Sequence, residues 1–199
     1  KLSFYGFDGP LEMTVAESPR KVLHLVLDYI ESIDEALCRT HRERIDALLG
    51  PDEGWEQPAA LVDPTQSVGD TEAARGLRIE TESVISLMKT HRPELVGGSD
   101  EGSYAEAMHH ADMARQLLIY HAHMAHDFTG RTGTLLGVRD AMMADTLAYI
   151  VSREQCRGKV FVFAHNEHLK RGKARWTWGP QTHEWWPAGS LLAGMLGPR

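Results

Sequence analysis

Cysteine is scarce in this chain: Cys38 and Cys156 are the two among 199 residues. Both fall in helix-forming stretches, which leaves no sign of a disulfide framework and fits a reducing, cytoplasmic setting. Long apolar runs are missing, so no membrane span is expected, and no secretory leader is visible. Positive charge is in deficit. Lys and Arg number 21 against 28 Asp and Glu, for a net charge of -7, which argues against a general nucleic-acid partner. Convincing strands are few: residues 2–7 and 159–164, with 174–178 as a weaker third. A buried parallel sheet normally has more. An initial Met is lacking too, and KLSFYGFD opens directly on a strand. The expectation is therefore a single, partial domain over residues 1–199, an internal piece of a longer protein. The remaining composition is ordinary for a globular chain, with 42% hydrophobic and 25% charged residues.

The stretch KVFVFAHNEH at 159–168 holds the most chemistry. Val160, Phe161, Val162 and Phe163 form a continuous run of the kind found in strands buried on both faces. Four polar residues follow: His165, Asn166, Glu167 and His168. Ligands in open α/β sheets bind beyond the carboxyl ends of strands, so this exit suits proton transfer or metal binding. A loop whose polar residues cap one another fits the pattern equally well. The first strand ends in Asp8-Gly9-Pro10, a strong turn signal. If the two strands run parallel, Asp8 and His165 emerge on one sheet edge.

Between them the sequence reads as helices. Ser18 and Pro19 start one that runs to about Leu49, where Gly50-Pro51 ends it. Residues 51–69 form a long loop carrying Trp55. A second helix spans about 71–91 with Asp70 as its cap, and residues 95–102 read as a Gly-rich linker. A third, about 103–127, carries His109, His110, His121, His123 and His126. His110 and His121 share a face but lie about 16 Å apart along the axis, too far to bind one ion. His123, His126 and Asp127 supply at most a partial site, and no H-E-x-x-H pattern occurs. Core or surface histidines are the simpler reading, and no metal or other cofactor is expected.

The fourth helix, 135–154, is apolar on most sides, which makes Arg139 and Asp140 conspicuous. Arg139 can clamp a carboxylate, stabilise an oxyanion, or pair internally with an Asp. Downstream, Trp176, Trp178, Trp185 and Trp186 can wall an apolar pocket or simply form core. Pro187 opens a last short helix.

Three segments together resemble the erythromycin esterase family: FYGFDGP at 4–10, LLGVRDAMMADTL at 135–147 and VFVFAHNEHLKRG at 160–172. WWPAGSLL at 185–192 adds weaker support. The resemblance implies an α/β fold, with a small, mostly parallel central sheet covered by several long helices. It also implies metal-independent hydrolysis of a macrolide lactone by histidine-activated water. His165 and His168 match the histidines of the A-H-N-x-H segment, and Arg139 and Asp140 match the helix motif. The family's water-activating histidine belongs to an acidic-x-x-His-Gly segment ahead of the Gly-Phe-Asp strand, and nothing here matches it. The expectation is an internal or C-terminal portion lacking that segment.

The expected function is thus an esterase-like hydrolase acting on a small-molecule ester or lactone. His165, His168 and Arg139 carry the chemistry. Asp8, Asp140 and Asn166 support it, and Trp176, Trp178 and Trp185 line the substrate pocket. Two alternatives stand beside it: a metal-dependent hydrolase using His165, His168 and the His-rich helix, and a non-catalytic ligand-binding fragment of the same fold. The sequence leaves the oligomeric state open.

Overall fold

The computed structural model describes residues 2–11 and 15–197. The chain forms two compact units, Pro10–Asp127 and the pair of segments Lys1–Gly9 and Phe128–Arg199.

The first unit is helical: α1 (Arg20–Glu31), α2 (Glu35–Leu49), α3 (Asp52–Trp55), α4 (Glu72–Thr90), α5 (Arg92–Gly97) and α6 (Glu101–Met124). Helix α1 packs on α2, α2 on α4, α4 on α6, and α6 returns to α1. This closed ring buries Leu23, Leu27, Ile30, Ile45, Leu77, Met88, Leu117 and Leu118. The expected single helix from Ser18 to Leu49 is two helices. Asp34 leaves the helical region (φ -147°, ψ 98°) and its carboxylate accepts from the Leu37 N–H, an N-cap set inside a continuous apolar stripe. The cap of α4 is Thr71 rather than Asp70, with the Thr71 hydroxyl oxygen accepting from Ala74 N–H at 3.2 Å. Asp70 instead takes the guanidinium groups of Arg75 and Arg78. Part of the expected Gly-rich linker is α5.

The second unit comprises α7 (Arg131–Glu154), α8 (Asn166–Leu169), β1 (Ala174–Trp178), β2 (Gln181–Trp185) and α9 (Ala188–Leu196). Helix α7 packs against β2 and α9, and α8 packs against α9 and β1. Met143, Ala144 and Ala188 form a buried cluster that Phe7, Leu191 and Leu192 cover.

The mostly parallel central sheet is not present. Among the described residues the sheet is one antiparallel hairpin, β1 with β2, in the register Ala174–Trp185, Trp176–His183 and Trp178–Gln181. Residues 2–7 and 159–164, both expected as strands, belong to no strand. Phe4, Phe161 and Phe163 are 87%, 89% and 85% exposed. A parallel strand is stable only with neighbours on its edges and layers over its faces, and the apolar composition of a run does not provide them. The hairpin needs only a local turn, and Gly179 at φ 57° supplies its positive-φ corner. The fold is therefore helix-dominated, with a small antiparallel sheet. No helix among the described residues is long and apolar enough to cross a membrane.

Candidate active site

Asp140 sits midway along α7 and is fully buried. A buried carboxylate needs hydrogen-bond donors, and three converge on it. His168 Nδ1 lies 2.9 Å from Oδ1. The Ala188 N–H donates to the same oxygen at 2.9 Å. Trp185 Nε1–H donates to Oδ2 at 2.5 Å. The indole and the amide can only donate, and the carboxylate oxygens accept. The Nδ1 of His168 therefore carries its proton toward Asp140. Nε2 is left as the nitrogen able to exchange protons. The His168 side chain is 19% exposed, so the imidazole joins a buried acceptor to the surface.

The other expected residues lie on the same unit. Asp8 and Arg139 form a two-pronged ion pair: Arg139 Nε–H donates to Oδ1 at 3.0 Å, and Nη2 donates to Oδ2. Tyr5 donates to Glu154 Oε1 at 2.5 Å. The segment 2–9 is thereby tied to α7 at two points, and Asp8 is paired with Arg139. His165 is the N-cap of α8, its Nδ1 accepting from the Glu167 N–H at 3.3 Å. Its ring is exposed and its carbonyl oxygen accepts from the His168 N–H. Asn166 is the exposed first residue of α8. Lys170 closes the helix by donating to Glu167, and that bond holds the Glu167 carboxyl below its ordinary value.

The tryptophans divide. Trp176 and Trp178 stack at 5.6 Å on the hairpin and are 44% and 66% exposed. Trp185 is buried. It lines a groove of about 430 Å³ with Gly133, Gly137, Ala141, Glu184 and Trp186. The glycines matter here: a Cβ on Gly133 would lie 3.0 Å from the Glu184 carbonyl oxygen, so β2 can approach α7 only where α7 lacks a side chain.

The histidines of α6 belong to the other unit. His121 is buried, its Nε2 is 2.9 Å from the Glu17 carbonyl oxygen, and its ring stands edge-on to Trp55. Burial pushes its pKa down to about 4, partly offset by that carbonyl. Burial also lowers His110 and His123, and His126 pairs with Asp70 at 2.9 Å. Among the described residues no three His, Cys, Asp or Glu side chains form a group able to hold a metal ion.

Sequence reasoning overlooked two of the three donors to Asp140. Trp185 was expected as pocket lining or core, and Ala188 was not singled out. The signal was the run W-W-P-A-G at 185–189: a proline ahead of a helix start, then two small residues where backbone meets backbone.

The erythromycin esterase family model matches residues 1–199. The chain belongs to the erythromycin esterase family. No curated protein sequence matches this family member. It is similar to the crystal structure of a protein from Bacillus cereus, with a TM-score of 0.62 and 17% identity over 93% of this chain. At that identity the likeness concerns the fold alone. This family member spans 40% of the length of the Bacillus cereus protein.

Proposed function

We propose that this chain contributes proton-delivering and oxyanion-stabilising residues to the site of a metal-independent carboxylic ester hydrolase, acting on an ester or lactone of a small, macrolide-type molecule. Family membership supports the reaction class. The observation that carries the residue assignment is the His168 Nδ1 to Asp140 Oδ1 contact at 2.9 Å, with the carboxylate fully buried.

In this reading, water adds to the substrate carbonyl, and negative charge collects on the carbonyl oxygen in a tetrahedral intermediate. Collapse expels an alkoxide, which needs a proton. His168 Nε2 delivers it, because Asp140 fixes Nδ1 as the inward donor and stabilises the ring when it is charged. His165 presents its exposed ring one turn away and hydrogen-bonds the developing oxyanion. Arg139, the neighbour of Asp140 on α7 and held by Asp8, adds positive charge, and Asn166 adds a polar contact at the α8 N-terminus. Trp185 and Trp186 flank the groove for the apolar body of the substrate, with Trp176 and Trp178 on the adjoining hairpin. With Nδ1 held by Asp140, His168 is assigned proton delivery rather than water activation.

The test is hydrolysis of erythromycin and of p-nitrophenyl acetate by the full-length protein, followed by mass spectrometry and absorbance. His168→Gln and His165→Ala are expected to lower kcat by about two to four orders of magnitude, the usual range for lost acid–base or oxyanion help. A change under about threefold in a folded variant removes that residue from the mechanism. Binding of erythromycin without turnover of either compound would favour a ligand-binding role instead.

A further inference from the structure

The W-W-P-A-G run has a use that pocket lining does not explain. We propose that Trp185 and the Ala188 amide are positioning residues: they fix the Asp140 carboxylate so that it grips His168 through Nδ1 and leaves Nε2 outward. The inference rests on the catalytic reading of His168 for its consequence, but not for its geometry.

Three local features build the device. Pro187, at φ -76° and ψ 160°, is the N-cap of α9, and Ala188 follows as the first helical residue, whose N–H has no partner within the helix. That N–H donates to Asp140 Oδ1 at 2.9 Å. Trp185, two residues before the cap, donates from its indole to Oδ2 at 2.5 Å. Gly189 lets α9 press on the end of α8: a Cβ there would lie 2.1 Å from the Leu169 carbonyl oxygen. Leu169 is the residue after His168. The same five residues therefore supply two of the donors to Asp140 and set the backbone that carries the third.

The chemistry follows from sharing one carboxylate among three donors. Each donor draws electron density from the oxygens and so weakens what remains for the others. Trp185 takes up Oδ2, so the imidazole is confined to Oδ1 and to one ring orientation. Removing the indole N–H concentrates charge on the carboxylate. The Nδ1–H bond to His168 tightens, and the protonated ring becomes more stable. Trp185 thus moderates the basicity of the site as well as orienting it.

The experiment uses the full-length protein with 15N-labelled histidine, comparing wild type, Trp185→Phe, and a form carrying 3-benzothienylalanine at 185. That amino acid replaces the indole N–H by sulfur and keeps the ring volume. The expected result in both variants is a downfield shift of the His168 Nδ1–H proton with the Nδ1–H tautomer retained. The pH profile of ester hydrolysis is expected to move to higher pH. An Nδ1–H resonance unmoved in the benzothienyl form overturns the proposal, whatever becomes of the folding of the Phe variant. Full turnover in His168→Gln would overturn the catalytic reading while leaving the spectroscopic result to stand alone, so the two failures are distinguishable.

Discussion

Gly189 and Leu169 meet backbone to backbone: a Cβ on Gly189 would lie 2.1 Å from the Leu169 carbonyl oxygen and 2.4 Å from its carbonyl carbon. Neither atom belongs to a side chain that can swing away. Gly189→Ala must push α9 off α8, and overpacking of this kind costs about 1–3 kcal/mol, with more when backbone has to move. Chemical denaturation measures the loss. The Ala188 N–H moves with α9, so the His168 ring signals should shift as well. A variant as stable as the parent, with unshifted His168 signals, shows that the two helices do not need this contact.

Asp140 accepts from three groups and has no access to water. Asp140→Asn keeps one acceptor oxygen and turns the other position into a donor facing a donor. The cost expected for a buried polar group left mismatched is about 1–3 kcal/mol. Asp140→Ala strips all three donors at once and should cost more, about 3–5 kcal/mol if the imidazole is left charged in the gap. Urea titration of both variants gives the comparison. Equal stability of the Asn variant and the parent contradicts the hydrogen-bond arrangement described here.

The parts of this arrangement differ in how far sequence could reveal them. Chain-local chemistry was readable. Gly50-Pro51 ends α2, and Pro187 begins α9. Pairing was less so. The partner of His168 stands 28 residues away and the partner of Arg139 stands 131 residues away. Asp8 and Asp140 were both plausible orienters of a histidine, and only the fold assigns Asp8 to Arg139 and Asp140 to His168. The strands failed for a related reason. Val160, Phe161, Val162 and Phe163 have strand composition, yet a strand is defined by its neighbours. Beside them the weaker segment at Ala174–Trp178 paired, because Gly179-Pro180 brings its partner to it after two residues. Asp34 was hidden by the opposite circumstance, a break whose flanks continue the same apolar stripe.

The start of α4 offers a direct check on the corrected cap. Thr71→Ala removes the oxygen that accepts from Ala74 N–H and is expected to cost about 1 kcal/mol. Asp70→Asn leaves that cap intact and weakens the contacts to Arg75, Arg78 and His126. The arginine hydrogen bonds hold the Asp70 carboxyl far below its usual value, so the effect of Asp70→Asn should fade in acid. The effect of Thr71→Ala should not depend on pH. Thermal melts at neutral and acidic pH separate the two. A Thr71→Ala effect that disappears in acid would assign the capping role back to Asp70.

His121 sets an acid limit on the helical unit. Its folded-state pKa is near 4 against an ordinary 6.5, because burial disfavours the charged ring. The unfolded chain therefore binds the proton more readily than the folded one. The stabilisation is fully present above the unfolded value and is lost as pH falls through the window from 6.5 to about 4. The slope in that window is about 1.4 kcal/mol per pH unit, for a total on the order of 3 kcal/mol. His121→Gln keeps a donor toward the Glu17 carbonyl oxygen but does not titrate. It should be less stable than the parent at neutral pH and should lose less stability between neutral pH and pH 4. Denaturant midpoints taken at half-unit steps resolve the slope. Parallel curves for parent and variant would mean that another group governs acid unfolding.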